Sequence, residues 1–146
     1  KQKMSAHIGL LLAQLSAGLL FADYFIQVSI VQISLLKGET EGMALLTQYN
    51  PHGLFVVVEE IGYLFMCISF LFIMPVFSKD SMLDRAVRNI FLWAFLLGVL
   101  ALIVISVGFG IYREYIFEVV IISIDFLALI LAGCLLCIRY KNKKQQ

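Results

Sequence analysis

The chain reads as four long apolar blocks, with short polar segments between them that hold most of the charge. The blocks fall at about 8–36, 51–77, 82–112 and 115–138. At a rise of 1.5 Å per residue, a helix over any of them is long enough for the ~30 Å hydrocarbon core of a bilayer. The first block would reach roughly 43 Å, so its helix is expected to tilt or protrude. Only Arg113 and Glu114 separate the last two blocks, which makes those two an antiparallel hairpin. Asn50 followed by Pro51 reads as an N-cap with a first-turn proline. Pro75 falls where it would end the second helix, and Ser81 with Asp84 has the spacing of a capping box for the third. The predicted fold class is an all-α membrane protein, a single four-transmembrane-helix antiparallel bundle over residues 1–146.

Composition strengthens that reading. Of the residues 62% are hydrophobic and 14% charged, against about 25% charged in soluble domains, and a soluble chain of this size could not hide so much apolar surface. The partner this implies is the lipid bilayer. No basic tract interleaved with aromatics is present, so nucleic acid is not an expected partner. Positive charge then sets the sides. With the N-terminus in the cytoplasm, the inner segments hold Lys1, Lys3, Lys79, Arg85, Arg88, Arg139, Lys141, Lys143 and Lys144, and the outer loops hold only Lys37 and Arg113. That bias predicts both ends in the cytoplasm, in a prokaryotic plasma membrane. The chain starts at Lys1, and an upstream helix would change the number of spans without changing the sides.

Acids inside the apolar blocks are the candidate chemistry. Intramembrane carboxylates cost roughly 2.5–3.5 kcal/mol each on insertion scales, so they are read by default as functional or specifically paired. Asp23 and Asp125 fall near the middle of their blocks, Glu59 and Glu60 about 7 Å outward of theirs, and Glu118 about 10 Å outward. His52 marks the outer mouth. On the first helix Ser16, Asp23, Gln27 and Ser34 share one face, and Ala13, Ala17, Gly18 and Ala22 offer small residues for close packing. Gly98, Ala101, Ile105 and Gly108 do the same on the third. Adjacent helical residues point about 100° apart, so Glu59 and Glu60 cannot both face inward, and Glu59 with Tyr63 is the expected inward pair. The expected cation- or ligand-binding set is therefore Asp23, Gln27, Glu59, Glu60, Tyr63, Glu118 and Asp125, with His52 at the entrance. Few bases oppose these acids, and crowded carboxyls in a low dielectric can exchange a proton for a cation.

No metal or other cofactor is expected, since His7 and His52 lie at opposite ends. Cys134 and Cys137 form a C-x-x-C without a second pair, and are read as packing residues. The segment Asn50 to Phe72, NPHGLFVVVEEIGYLFMCISFLF, resembles uncharacterised small multi-spanning prokaryotic membrane proteins, a resemblance that implies a membrane bundle and assigns no residue a role. Small multidrug transporters share the plan of four helices with a membrane acid, but theirs lies in the first helix.

Three function classes follow. The first is a protein that binds or transports protons, a small cation or a cationic amphiphile through an outward-facing, carboxylate-lined cavity. The second is an accessory subunit, or one member of a homo-oligomer, whose acids pair with a partner chain. The third is an intramembrane lipid or isoprenoid enzyme using paired acids, the least favoured of the three.

Overall fold

The computed structural model describes residues 2–144, and the side chain of Lys143 is not among what it describes. Lys1, Gln145 and Gln146, on which the reading of the ends also rested, lie outside the described residues. Every described element is helical. The first span is one continuous rod made of α1 (Gln2–Ile26), a π-helical turn (Gln27–Val31) and α2 (Gln32–Lys37). Then come α3 (Leu54–Ile73), α4 (Met82–Phe109) and α5 (Ile116–Lys143), giving four helical spans long and apolar enough to cross a membrane.

The helices run up and down. Ser5 of α1 donates to the Phe72 carbonyl near the end of α3, while Tyr24 at the other end of α1 meets Glu59 near the start of α3. Both described ends of the chain and the 77–81 link therefore share one end of the molecule, here the terminal end. The 38–53 and 110–115 connections share the other, the loop end.

Helix α3 is the centre. α1 packs chiefly on α3, and the α4–α5 hairpin covers α3 from the other side. The bundle is thus an antiparallel assembly around one helix, and α1 is a flank rather than an equal fourth wall. Close approach is set by glycines. A Cβ on Gly62 would come within 2.8 Å of Leu20, one on Gly9 within 2.6 Å of Ile73, and one on Gly98 within 2.6 Å of the Cys67 sulfur. These are the small residues that count. The expected packing surface at Ala17, Gly18 and Ala22 faces outward instead, and neither Gly18 nor Gly108 has a neighbour within 4 Å. Toward the terminal end the core is mainly apolar, with Ser16, Ser69 and Asp84 as its buried polar residues. Phe70 stacks on Phe91 at 4.9 Å, with Val87, Ala94, Ala128 and Ala132 around them.

Several boundaries differ from expectation for physical reasons. The first helix starts at Gln2, six residues before its apolar block, because its polar first turn reaches back onto α3 through Gln2 and Ser5. Asn50 does not cap a helix. Its side chain accepts from the His52 N–H at 3.0 Å and its carbonyl from Gly53 at 2.8 Å, so Asn50–Gly53 is a turn and α3 begins at Leu54. Pro75 does sit in a closing 3₁₀ turn (Met74–Val76). Ser81 is the N-cap of α4 but makes no capping hydrogen bond, so the capping box is not formed. α5 continues to Lys143, five residues past its apolar block.

The glycine contacts give a direct test. Gly98→Val is expected to lower stability by about 1–3 kcal/mol through overpacking against Cys67 and Ile121, whereas Gly108→Ala, in open space, is expected to leave it unchanged. Thermal unfolding of both variants in one detergent checks this.

Candidate functional site

The loop-end third of the bundle collects the acids. Asp23, Glu59, Glu60 and Asp125 are each at most 5% exposed, and Glu118 is half-buried. Each is placed by its own helix. Asp23 sits one turn before the π-helical turn of the first span, Glu59 and Glu60 lie in the second turn of α3, and Glu118 occupies the first turn of α5, where the helix dipole favours a negative group.

Glu59 is the hub. The Tyr24 hydroxyl of α1 donates to its Oε1. Because that proton points at Glu59, the 3.1 Å contact between the Tyr24 and Tyr63 hydroxyls runs from Tyr63 to Tyr24. From α5, Glu118 brings a further carboxyl close to Glu59, with Glu60 and Asp23 as its next charged neighbours. Asp23 is held at Oδ2 by Gln27 Nε2, 2.7 Å away. Glu60, turned to the other side as adjacency on a helix requires, accepts from Arg113 at 2.5 Å. Arg113 in turn lies over the Phe117 ring.

Asp23, Glu59 and Glu60 are half satisfied, each held by one oxygen, and Glu118 makes no hydrogen bond among the described side chains. Asp23 Oδ1, Glu59 Oε2, Glu60 Oε1 and Glu118 Oε2 are all buried without a hydrogen-bond partner. Two ionised carboxylates 4 Å apart repel by about 4 kcal/mol even at an effective dielectric of 20. Arg113 offsets one negative charge out of four. The cluster is therefore complete only with added positive charge, as protons or a bound cation. Among the described residues no three His, Cys, Asp or Glu side chains group closely enough to hold a metal ion. The carboxyls form a line of contacts and not a cage.

Asp125 stands apart from that line. It lies 1% exposed, deeper in the bundle, with Cys67 Sγ donating to Oδ1 at 3.0 Å and Oδ2 left without a partner. The expected meeting of all five acids in one pocket thus divides into a cluster of four and a single deeper carboxyl. Tyr63 meets Tyr24 at the cluster and lies one turn before Cys67, the donor to Asp125, on the same face of α3.

An open pocket of about 560 Å³ lies outside the cluster, between the first span and the 47–49 segment. Gln27, Gln32, Thr47, Gln48 and Tyr115 supply its polar groups, and Tyr115 closes one side by donating to the Gln48 carbonyl at 2.6 Å. Gln27 belongs to both places, lining this pocket while holding Asp23. His52 is exposed and borders a separate pocket of about 540 Å³ with Arg113 and Glu114, so it joins the cluster only through Arg113.

Two residues escape the sequence reading. Tyr24 is 40% exposed and looks like one more lipid-facing aromatic, but its hydroxyl reaches back into the bundle. The available clue is its place beside Asp23 and three residues before Gln27. Asp84, read as half of a capping box, instead pairs with Arg139 Nε at 2.8 Å across the terminal end of the hairpin. That pairing is legible once α4 and α5 are known to be antiparallel, since both residues then fall at the same end. Cys134 and Cys137 face outward, while Cys67 is the buried thiol.

No family model, curated protein or solved structure matches the chain.

Asp84 is 2% exposed, so removing its partner leaves a buried charge uncompensated. Arg139→Gln is expected to cost about 3 kcal/mol, near the low end for broken buried pairs because the arginine is partly exposed. The double variant Arg139→Gln/Asp84→Asn is expected to regain most of that loss. Unfolding of the two single variants and the double variant in parallel measures the coupling.

Proposed function

We propose that this protein is an integral membrane protein that takes up and releases protons at a carboxylate cluster reached from the extracytoplasmic side, in exchange for or together with a small cation. The observation that carries the reading is the set of four buried, partnerless carboxyl oxygens on Asp23, Glu59, Glu60 and Glu118. A carboxyl held by one oxygen and open at the other is oriented yet chemically unfinished, and the least bulky completion is a proton. The linear arrangement favours protons over a multivalent metal, which would draw three or more ligands to one point.

The outward orientation comes from the lysine and arginine bias, which assigns the terminal end to the cytoplasm. In that orientation the 560 Å³ pocket is the vestibule, and Gln27 is the residue through which it communicates with Asp23. Arg113 acts as a tethered counter-cation. It holds Glu60 in place and leaves Glu59 and Glu118 as the pair that changes charge. An intramembrane acid pair with a polar mouth on one side and an apolar seal on the other is the arrangement expected of an exchange site.

Proteoliposomes loaded with a pH-sensitive dye test the reading. Acidification of the outer medium is expected to drive proton entry that Glu59→Gln and Glu118→Gln each reduce at least tenfold, with Glu114→Gln, outside the cluster, near the unmodified rate. Equal rates in all four proteins and in empty vesicles would refute it. Adding different monovalent cations to the lumen identifies the one whose gradient alters the proton flux.

A further inference from the structure

Resting on that reading, we infer that Tyr24 and Tyr63 form a hydroxyl wire that carries a proton from the outer carboxyl cluster to Asp125, which serves as a second and deeper proton-binding station. The three groups form one chain from α3 to α1 and back to α3: Tyr24 donates to Glu59 and Tyr63 to Tyr24, which is the direction the two O–H bonds hold after a proton has left Glu59 for the interior. Tyr63 is buried, Cys67 one turn further along the same face of α3 donates to Asp125, and the Tyr63 ring lies 6.3 Å from Phe126, the neighbour of Asp125.

The groups that face the two ends of the wire come from every packed helix. Around Tyr63 they are Tyr24 from α1, Glu59 from its own helix, and Glu118 and Asp125 from α5. Around Asp125 they are Cys67 and Tyr63 from α3, while α4 brings only Ala94 and Gly98 to Cys67. Asp125 is thus the one carboxyl next to Tyr63 that lies outside the cluster. Its Oδ1 is anchored by the thiol and its Oδ2 is free to receive.

The transfer balances without a tyrosinate. With both hydroxyls first turned inward, a proton on Glu59 passes to the Tyr24 oxygen as Tyr24 releases its own to Tyr63 and Tyr63 releases its own to Asp125, which leaves the O–H directions seen in the structure. Glu59 ends as a carboxylate, Asp125 as a carboxylic acid, and both tyrosines remain neutral with their O–H bonds reversed. Rotation of the two hydroxyls restores the starting direction. No direct hydrogen bond joins Tyr63 to Asp125 among the described side chains, so the last step requires the Asp125 carboxyl to turn its unheld oxygen toward Tyr63.

Infrared difference spectroscopy on the reconstituted full chain tests this. Protonation of each acid is followed by its carboxylic C=O band after a rapid pH drop, with bands assigned by their loss in Asp125→Asn and Glu59→Gln. Tyr63→Phe keeps the ring that packs on Phe126, and it is expected to slow the Asp125 band at least tenfold while the Glu59 band keeps its rate. Tyr24→Phe is expected to slow the Asp125 band likewise and, because it also removes the hydrogen bond to Glu59, to shift the Glu59 band as well. Unaltered Asp125 kinetics in both variants would overturn the wire while leaving the outer site intact. Absence of any titrating carboxyl band in the unmodified protein would instead sink the proton-exchange reading itself.

Discussion

Helix α3 is held by close contacts on more than one side, and the rest of the molecule follows from that constraint. Gly62 lies against Leu20 of the first span, Cys67 against Gly98 of α4, and Phe70 flat against Phe91. With no room to rotate, α3 carries Glu59 and Glu60 into the interior whatever their solvation costs. Because the two are neighbours on a helix, they emerge toward different sides. One meets the flank formed by α1, the other the loop that starts α5. The polar residues of those elements are then fixed in kind, since a buried carboxyl without donors would cost several kcal/mol. Tyr24 and Arg113 are the two answers, one neutral and one charged.

The half-satisfied state of the cluster has a local origin in the first span. An α-helix repeats every 3.6 residues, so polar groups four apart drift only slightly around the axis. The π-helical turn at Gln27–Val31 widens the helix just after Asp23, as such turns often do near functional residues. It sets Gln27 so that one amide both holds Asp23 and lines the pocket outside. Orientation by one oxygen and freedom at the other recurs at Asp23, Glu59, Glu60 and Asp125.

Much of this was legible in the sequence because its governing terms are additive. Runs of apolar residues mark the spans, and the acids within them mark the site, without knowledge of packing. The face shared by Ser16, Asp23, Gln27 and Ser34 is indeed turned away from the exposed surface to differing degrees. What stayed hidden depends on partners distant in sequence. Asn50–Pro51 has the letters of a helix start, but its hydrogen bonds go to His52 and Gly53, and α3 waits until Leu54. Asp84 has the spacing of a cap, yet Arg139, 55 residues on, offers it a full charge. Tyr24 looks like a membrane-facing aromatic because most of its ring is one, and only the hydroxyl betrays its role. The separation of Asp125 from the other acids could not be read from depth alone. It depends on Gly98 admitting the Cys67 sulfur close to α4, which places a donor against Asp125 from α3.

The two ends of the molecule treat charge in opposite ways, and that contrast bears on how a proton could cross. At the loop end, four clustered acids face one arginine. At the terminal end the charge of Asp84 is matched by Arg139, although Asp84 Oδ1 makes no aligned hydrogen bond. Asp125 and Arg139 lie 14 residues apart on α5, roughly 21 Å along the helix, and no other Asp or Glu occurs on any helix in that interval. The space is filled mainly by Phe70, Phe91, Val87 and two alanines of α5, with the buried hydroxyls of Ser16 and Ser69 the polar groups of the other spans there. Two isolated hydroxyls do not bridge such a distance for a proton, so on the proposed reading the static structure holds one half of a pathway. Completing it requires a rearrangement, and the packing says which is cheapest. α3, α4 and α5 share an interlocked core, whereas the first span rests chiefly on α3 and leaves most of its surface to its surroundings. Its hold near Asp23 runs through the Tyr24–Glu59 hydrogen bond, whose strength depends on the charge of Glu59. Protonating Glu59 would weaken the bond that ties the flank to the centre, so the event that loads the site is also the event that loosens the helix best able to move.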